Sequence, residues 1–102
     1  MSLFIDKLIA RKVAEALIAA GLPITVDYNE GESPLVQSTD IDRIIEEAFA
    51  CDECWFLVKP DGGRYGHFVY FLWGNGWDAI CDYSTALEPV LKPVFDWIEK
   101  ES

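Results

Sequence analysis

The chain has 102 residues, a formal net charge of −10, 51% hydrophobic residues and 14% aromatic ones. That apolar content excludes a disordered chain, and the length sets a single domain with a core of its own. Sparse Lys and Arg exclude direct nucleic-acid binding, which needs clustered cations, and no apolar run approaches the roughly 20 residues of a membrane span.

Ser2 can cap a first helix whose apolar positions Ile5, Leu8, Ile9, Val13, Ala16, Leu17 and Ala20 follow the 3.6-residue period. Asp6, Lys7, Arg11, Lys12 and Glu15 interrupt them, which marks an amphipathic helix and not the unbroken apolar stretch of a signal peptide. Gly21, followed by Leu22-Pro23, stops the helix. Ile24, Val26 and Tyr28 then alternate with Thr25 and Asp27, as in a half-buried strand. Asn29 to Ser33 read as a turn, and Leu35-Val36-Gln37 return as a short strand. Ser38-Thr39-Asp40 opens a second helix, with Thr39 and Asp42 spaced as a capping box and Ile41, Ile44, Ile45, Ala48 and Phe49 as the buried stripe.

Three strands follow, over Cys54 to Lys59, Arg64 to Trp73, and a last run ending at Tyr83. Asp61-Gly62 and Asn75-Gly76 are the expected hairpin turns, because Asn, Asp and Gly tolerate positive φ. Trp73 and Trp77 clamp the second turn from either side. Ser84 caps a last helix with Leu87, Val90, Leu91, Val94 and Ile98 on one stripe, kinked or split by Pro89 and Pro93. The order α-β-β-α-β-β-β-α predicts an α+β domain, an antiparallel sheet of about five strands packed by three helices. With Lys59 opposite Arg64, one face of the sheet carries Cys54, Phe56, Val58, Tyr65, His67, Val69 and Phe71. The other carries Trp55, Leu57, Phe68, Tyr70 and Leu72. Both are apolar, so the helices either cover both faces or leave one for a partner.

The negative charge is concentrated. From Asp27 to Glu53, nine acids stand against one base, Arg43, so this segment holds −8 of the total. Such a run is first a solvated face that aids solubility. It is also a candidate docking patch, with Asp42, Glu46 and Glu47 meeting a basic protein partner or mimicking nucleic-acid charge to plug a basic site. Trp73, Asn75 and Trp77 are the other candidate partner-binding residues, since tryptophans at a turn make good interface anchors.

Little else carries chemistry. Cys51 and Cys54, with His67 and Cys81, are the metal or redox candidates, but a tetrahedral site wants a second close pair and the sequence has one CxxC alone. That CxxC follows a helix, whereas a thioredoxin-like motif opens one. Cys81 shares a face with Val69 if the Gly74-Asn75-Gly76 loop counts three residues and with Tyr70 if it counts two. Asp78 and Asp82, four apart on a strand, lie about 13 Å from each other by strand rise, too far for a glycosidase pair. With one histidine, no phosphate loop and no nucleophile elbow, the expectation is a non-enzyme without cofactor. Three cysteines and no export signal point to a reduced, cytoplasmic setting.

From Gln37 through Ser84 the chain resembles small uncharacterised α+β proteins carried by phages, prophages and plasmids. The matching residues are Ser38-Thr39-Asp40 at a helix start, Gly74-Asn75 after an aromatic strand, and Asp82-Tyr83-Ser84. The resemblance implies a mobile-element context and supplies no activity. The acidic α+β order is also similar to secretion-chaperone folds, which are dimers that hold an extended protein client, although two strands here precede the middle helix where those have three. On that likeness a homodimer is one expected assembly.

Overall fold

The computed structural model describes residues 3–28, 35–59 and 66–102. Its elements follow the expected order: α1 (Phe4–Ala19), β1 (Ile24–Asp27), β2 (Leu35–Ser38), α2 (Ile41–Ala48), β3 (Glu53–Val58), β4 (His67–Leu72), β5 (Ile80–Tyr83) and α3 (Glu88–Glu101). The strands form one sheet in the order β2-β1-β3-β4-β5, with every neighbouring pair antiparallel. The expected Ser2 cap and the turns at 29–33 and 61–62 lie outside the described residues.

Helix α1 buries Ile9, Val13 and Leu17 with Ala10 and Ala14, so its inner stripe is flanked by small residues that let the sheet approach. Ala20 was expected on that stripe and is exposed, because the helix has ended there. Gly21 takes φ +80°, its N–H donates to Ile18 O at 2.9 Å, and Leu22 N–H donates to Leu17 O at 3.0 Å. Those paired bonds close the helix in the manner that only an easy left-handed residue permits.

Helix α2 starts one residue later than a Thr39 cap requires. Asp40 is the N-cap, and its carboxylate accepts from Arg43 N–H at 3.3 Å, while Ser38 Oγ accepts from Asp40 N–H at 3.1 Å. The Thr39–Asp42 capping box therefore does not form, since Asp40 itself caps the helix with a charged acceptor that ranks above Thr at this position. Ile44 and Ala48 are buried, and Ile41, Ile45 and Phe49 pack on the core beside them.

The last helix is not split by its prolines, since α3 runs unbroken from Glu88 to Glu101 through both of them. A 3-10 turn at Thr85–Leu87 leads into α3, with Pro89 in the first turn, where a missing N–H costs nothing, and Pro93 further in. Ser84 does not cap with its side chain. Its Oγ accepts from Phe68 N–H at 3.0 Å and its N–H donates to Phe68 O at 2.9 Å, so Ser84 extends the β4–β5 ladder.

All three helices pack on the sheet face that bears Ile24, Val26, Cys54, Phe56, Val58, Val69 and Phe71, and these residues are buried with Leu87, Leu91 and Val94 in one core. Among the described residues, nothing packs Trp55, Leu57, Phe68, Tyr70 or Leu72 against that core. The helices thus cover one face and leave the other.

The β3–β4 register runs two residues from the expected one. A Lys59–Arg64 pairing would set Val58 opposite position 65, whereas Val58 opposes His67. An even shift keeps every side chain on its expected face, which is why the two-face division survives.

Candidate interaction surface

The sequence sets the β4–β5 connection as a tight turn of two or three residues, Asn75-Gly76 or Gly74-Asn75-Gly76. It is a longer loop, closed by Leu72 N–H donating to Ala79 O at 3.0 Å and containing a 3-10 turn at Gly76–Asp78. Asn75 has φ −103°, and the left-handed positions are Gly74 at +94° and Gly76 at +57°. Asn75 contributes through its side chain, whose Nδ2 donates to Leu72 O at 3.0 Å.

Its two tryptophans do not clamp the turn between them; each docks on a different helix. Trp73 stacks on Phe49 at 4.0 Å and on Phe71 at 4.9 Å, and its Nε1–H donates to Ala48 O at 2.8 Å, the last residue of α2. Trp77 meets Trp97 of α3 edge-on at 5.6 Å. Asp6 of α1, only 1% exposed, accepts from Gly74 N–H at 2.8 Å. The loop is thereby tied to all three helices, and the rings of Trp73 and Trp77 are half-buried within the fold.

The acidic segment is divided by the fold. Asp42, Glu46 and Glu47 ride on α2, where Asp42 pairs with Arg11 of α1 at 2.8 Å and Glu47 gives its backbone carbonyl to the Tyr28 hydroxyl. Asp27 and Glu53 go elsewhere, to the sheet face that no described helix covers.

That face is built in rows. Asp27 of β1 lies opposite Trp55 of β3, Trp55 opposite Tyr70 of β4, and Tyr70 opposite Asp82 of β5. A carboxylate therefore stands at each end of a row whose middle is a ring pair, stacked at 4.3 Å with 30° between planes. On one side of it a row holds Thr25, Leu57 and Phe68, with Phe68 tilted against Trp55 at 5.4 Å, and on the other side a row holds Glu53 and Leu72. Leu72 is 39% exposed, and on the edge strand Val36, one residue out of phase with the core-packed Leu35, is 65% exposed.

The Tyr70 hydroxyl donates to the Glu53 carboxylate. That bond, with a smaller desolvation effect and the Glu53 charge, raises the phenol from its ordinary 10 to about 12. The neutral ring is thus fixed in place on the face.

The cysteines stand apart in character. Cys54 is buried on the core face, where burial first and the Asp27 charge second push its thiol well above the ordinary range. Cys51 and Cys81 are exposed. A nucleophilic or redox thiol wants the opposite environment, electropositive and partly open. Among the described residues no three of His, Cys, Asp and Glu come together as a metal site. Cys81 occupies a bulge: the pairing steps from Tyr70–Asp82 to Phe71–Ile80, leaving Cys81 as the extra residue beside Asp82. Asp78 lies in the 3-10 turn and Asp82 on β5, so they do not share a strand face as expected.

No family model, curated protein or solved structure matches the chain.

Proposed function

We propose that this protein is a non-enzymatic protein-binding module that works through the helix-free face of its sheet, and that it belongs to a phage or other mobile element, as the Ser38-Thr39-Asp40, Gly74-Asn75 and Asp82-Tyr83-Ser84 pattern implies. One observation carries the binding role: Trp55, Leu57, Phe68, Tyr70 and Leu72 lie together on a face that no described element covers. A contiguous apolar patch of that kind marks an interaction site in a soluble protein. Aromatic residues rich in area and carrying a polar tip are the type that interfaces favour at their centre. Trp73 and Trp77 support the same role indirectly, by holding the loop beside β4 and β5 to the helices.

Site-specific photo-crosslinking tests it. A photoreactive phenylalanine at position 57 of the open face should yield covalent protein adducts in a lysate of the natural host. The same group at position 92, on the solvent side of α3, should not. Equal yields at both positions, or none at 57, would reject the sheet face as the interface.

The second reading is an acidic inhibitor acting through α2. It is favoured by Asp42, 87% exposed at its side chain, and by exposed Glu46 on the same helix. Its capture of a basic partner should fall steeply with salt and disappear on charge reversal of Asp42, Glu46 and Glu47.

A further inference from the structure

The geometry points to a specific kind of partner for the open face: an extended, arginine-bearing protein segment whose guanidinium stacks on the Trp55–Tyr70 pair between the carboxylates of Asp27 and Asp82. The inference rests on the reading of that face as the interface and adds the chemistry of its occupant.

Three observations converge. The two rings stack face to face at 4.3 Å with only 30° between planes, so each keeps an outer face turned along the row, Trp55 towards Asp27 and Tyr70 towards Asp82. A guanidinium is planar, stacks on such surfaces and keeps its edge free for carboxylates, which a lysine ammonium cannot imitate. The carboxylates are in the same row: Asp27 follows Trp55 on one side and Asp82 follows Tyr70 on the other. With strands about 4.8 Å apart, each end of the row lies one strand from a ring, within the reach of a side chain lying across the pair. Asp82 gives one oxygen to Tyr83 N–H at 2.9 Å, which fixes the carboxylate and leaves the other oxygen free to accept.

The distribution of cations gives the same sign. On α1, Lys7 lies 5.6 Å over Phe49, Lys12 lies 5.3 Å over Trp97 and Arg11 pairs with Asp42, all within the helical layer. On the open face the described charges are Asp27, Glu53 and Asp82 against Lys59 at the end of β3. A second copy is disfavoured by the same charges. Face-to-face pairing of two identical chains of −10 would set one acid-bounded row against another.

Fluorescence anisotropy on the full chain tests this with three labelled peptides of one frame, valine alternating with arginine, glutamine or glutamate. The arginine peptide should bind at least about tenfold tighter than the glutamine one, an advantage that shrinks from about 50 mM to about 300 mM salt. The glutamate peptide should not bind. Trp55→Ala should abolish binding of both other peptides. Asp27→Asn with Asp82→Asn keeps both rings and the Tyr70–Glu53 bond, and should bring the arginine peptide down to the glutamine level while leaving the glutamine peptide unchanged. If arginine and glutamine peptides bind the parent equally and both are lost in Trp55→Ala, the face is an interface and the arginine assignment is wrong. If sedimentation finds a dimer that Trp55→Ala dissociates, the occupant is a second copy and the assignment is again wrong. If peptide binding ignores Trp55→Ala in a variant that melts like the parent, the interface reading itself falls, and this inference with it.

Discussion

Asp6 is the one charged side chain buried among the described residues, and the bond it makes is not local. Its carboxylate accepts from Gly74 N–H at 2.8 Å, across 68 positions of sequence. Removing a buried acceptor strands its donor, so Asp6→Ala should cost about 1–3 kcal/mol in chemical denaturation. Asp6→Asn retains an acceptor oxygen and should recover part of that loss. In the sequence Asp6 reads as one of the charges on the wet side of an amphipathic helix, and nothing near it announces a backbone amide so far away. Tyr70 offers a test of a different kind. Its phenol rises from 10 to about 12, chiefly through the bond to Glu53. The fold favours the neutral phenol, so this contribution to stability is fully present below pH 10 and is lost as pH rises towards 12. In a near-ultraviolet titration the parent should show a tyrosine ionising at about pH 12, and Glu53→Gln should move that step down.

The boundaries of the elements were legible where a residue's chemistry is self-contained. Gly21 ends α1 because it acts on its own backbone, whereas Pro89 and Pro93 lie within an unbroken α3, Pro89 where no N–H is needed and Pro93 between the buried Leu91 and Val94. The β4–β5 connection was not, because tertiary contacts decide it: Trp73 reaches α2 and Trp77 reaches α3, and the loop lengthens to let both rings dock. The consequence for mutants is specific. Gly76 sits at φ +57° with no atom within 4 Å of where a Cβ would be, so substitution there meets a backbone cost and no clash. Gly76→Asn should be mild, since Asn visits this region, whereas Gly76→Val should cost about 1–2 kcal/mol or more. Asn75→Gly should not be silent: at φ −103° the glycine relieves nothing, and the Nδ2 bond to Leu72 O is lost. A small drop in melting temperature, from about 0.5–1 kcal/mol, is expected. Equal melting of Gly76→Val and the parent would contradict the left-handed assignment.

At the scale of the whole molecule, alternation assigned every described residue of β3 and β4 to its side, yet it could not tell which side the helices take. Both faces are apolar by pattern. The distinguishing sign lies in the kind of residue: the covered face carries Cys54, Val58 and Val69 around two phenylalanines, while the open one mixes Trp55 and Tyr70 with Asp27 and Asp82 in a single row. That row is invisible until three strand registers are known together. The one-sided arrangement makes a sharp prediction about stability. Phe56 is fully buried, edge-on to Phe71 at 4.8 Å, so Phe56→Ala should cost about 3–5 kcal/mol, much of the 5–15 kcal/mol typical of a domain. Leu57 and Phe68 are direct neighbours on the opposite face, both half-buried, and among the described residues they pair with each other while Phe68 also meets Trp55. The double change Leu57→Thr with Phe68→Thr puts strand-favouring β-branched residues in their place and forfeits those contacts, so it should cost about 1–2 kcal/mol with an unchanged denaturant slope. The same variant should bind a hydrophobic dye less than the parent does, because it erases open apolar surface and creates no cavity. Urea unfolding of the two variants beside the parent decides the matter. If the double variant falls as far as Phe56→Ala, both faces of this sheet are core, and the surface proposed for binding does not exist in solution.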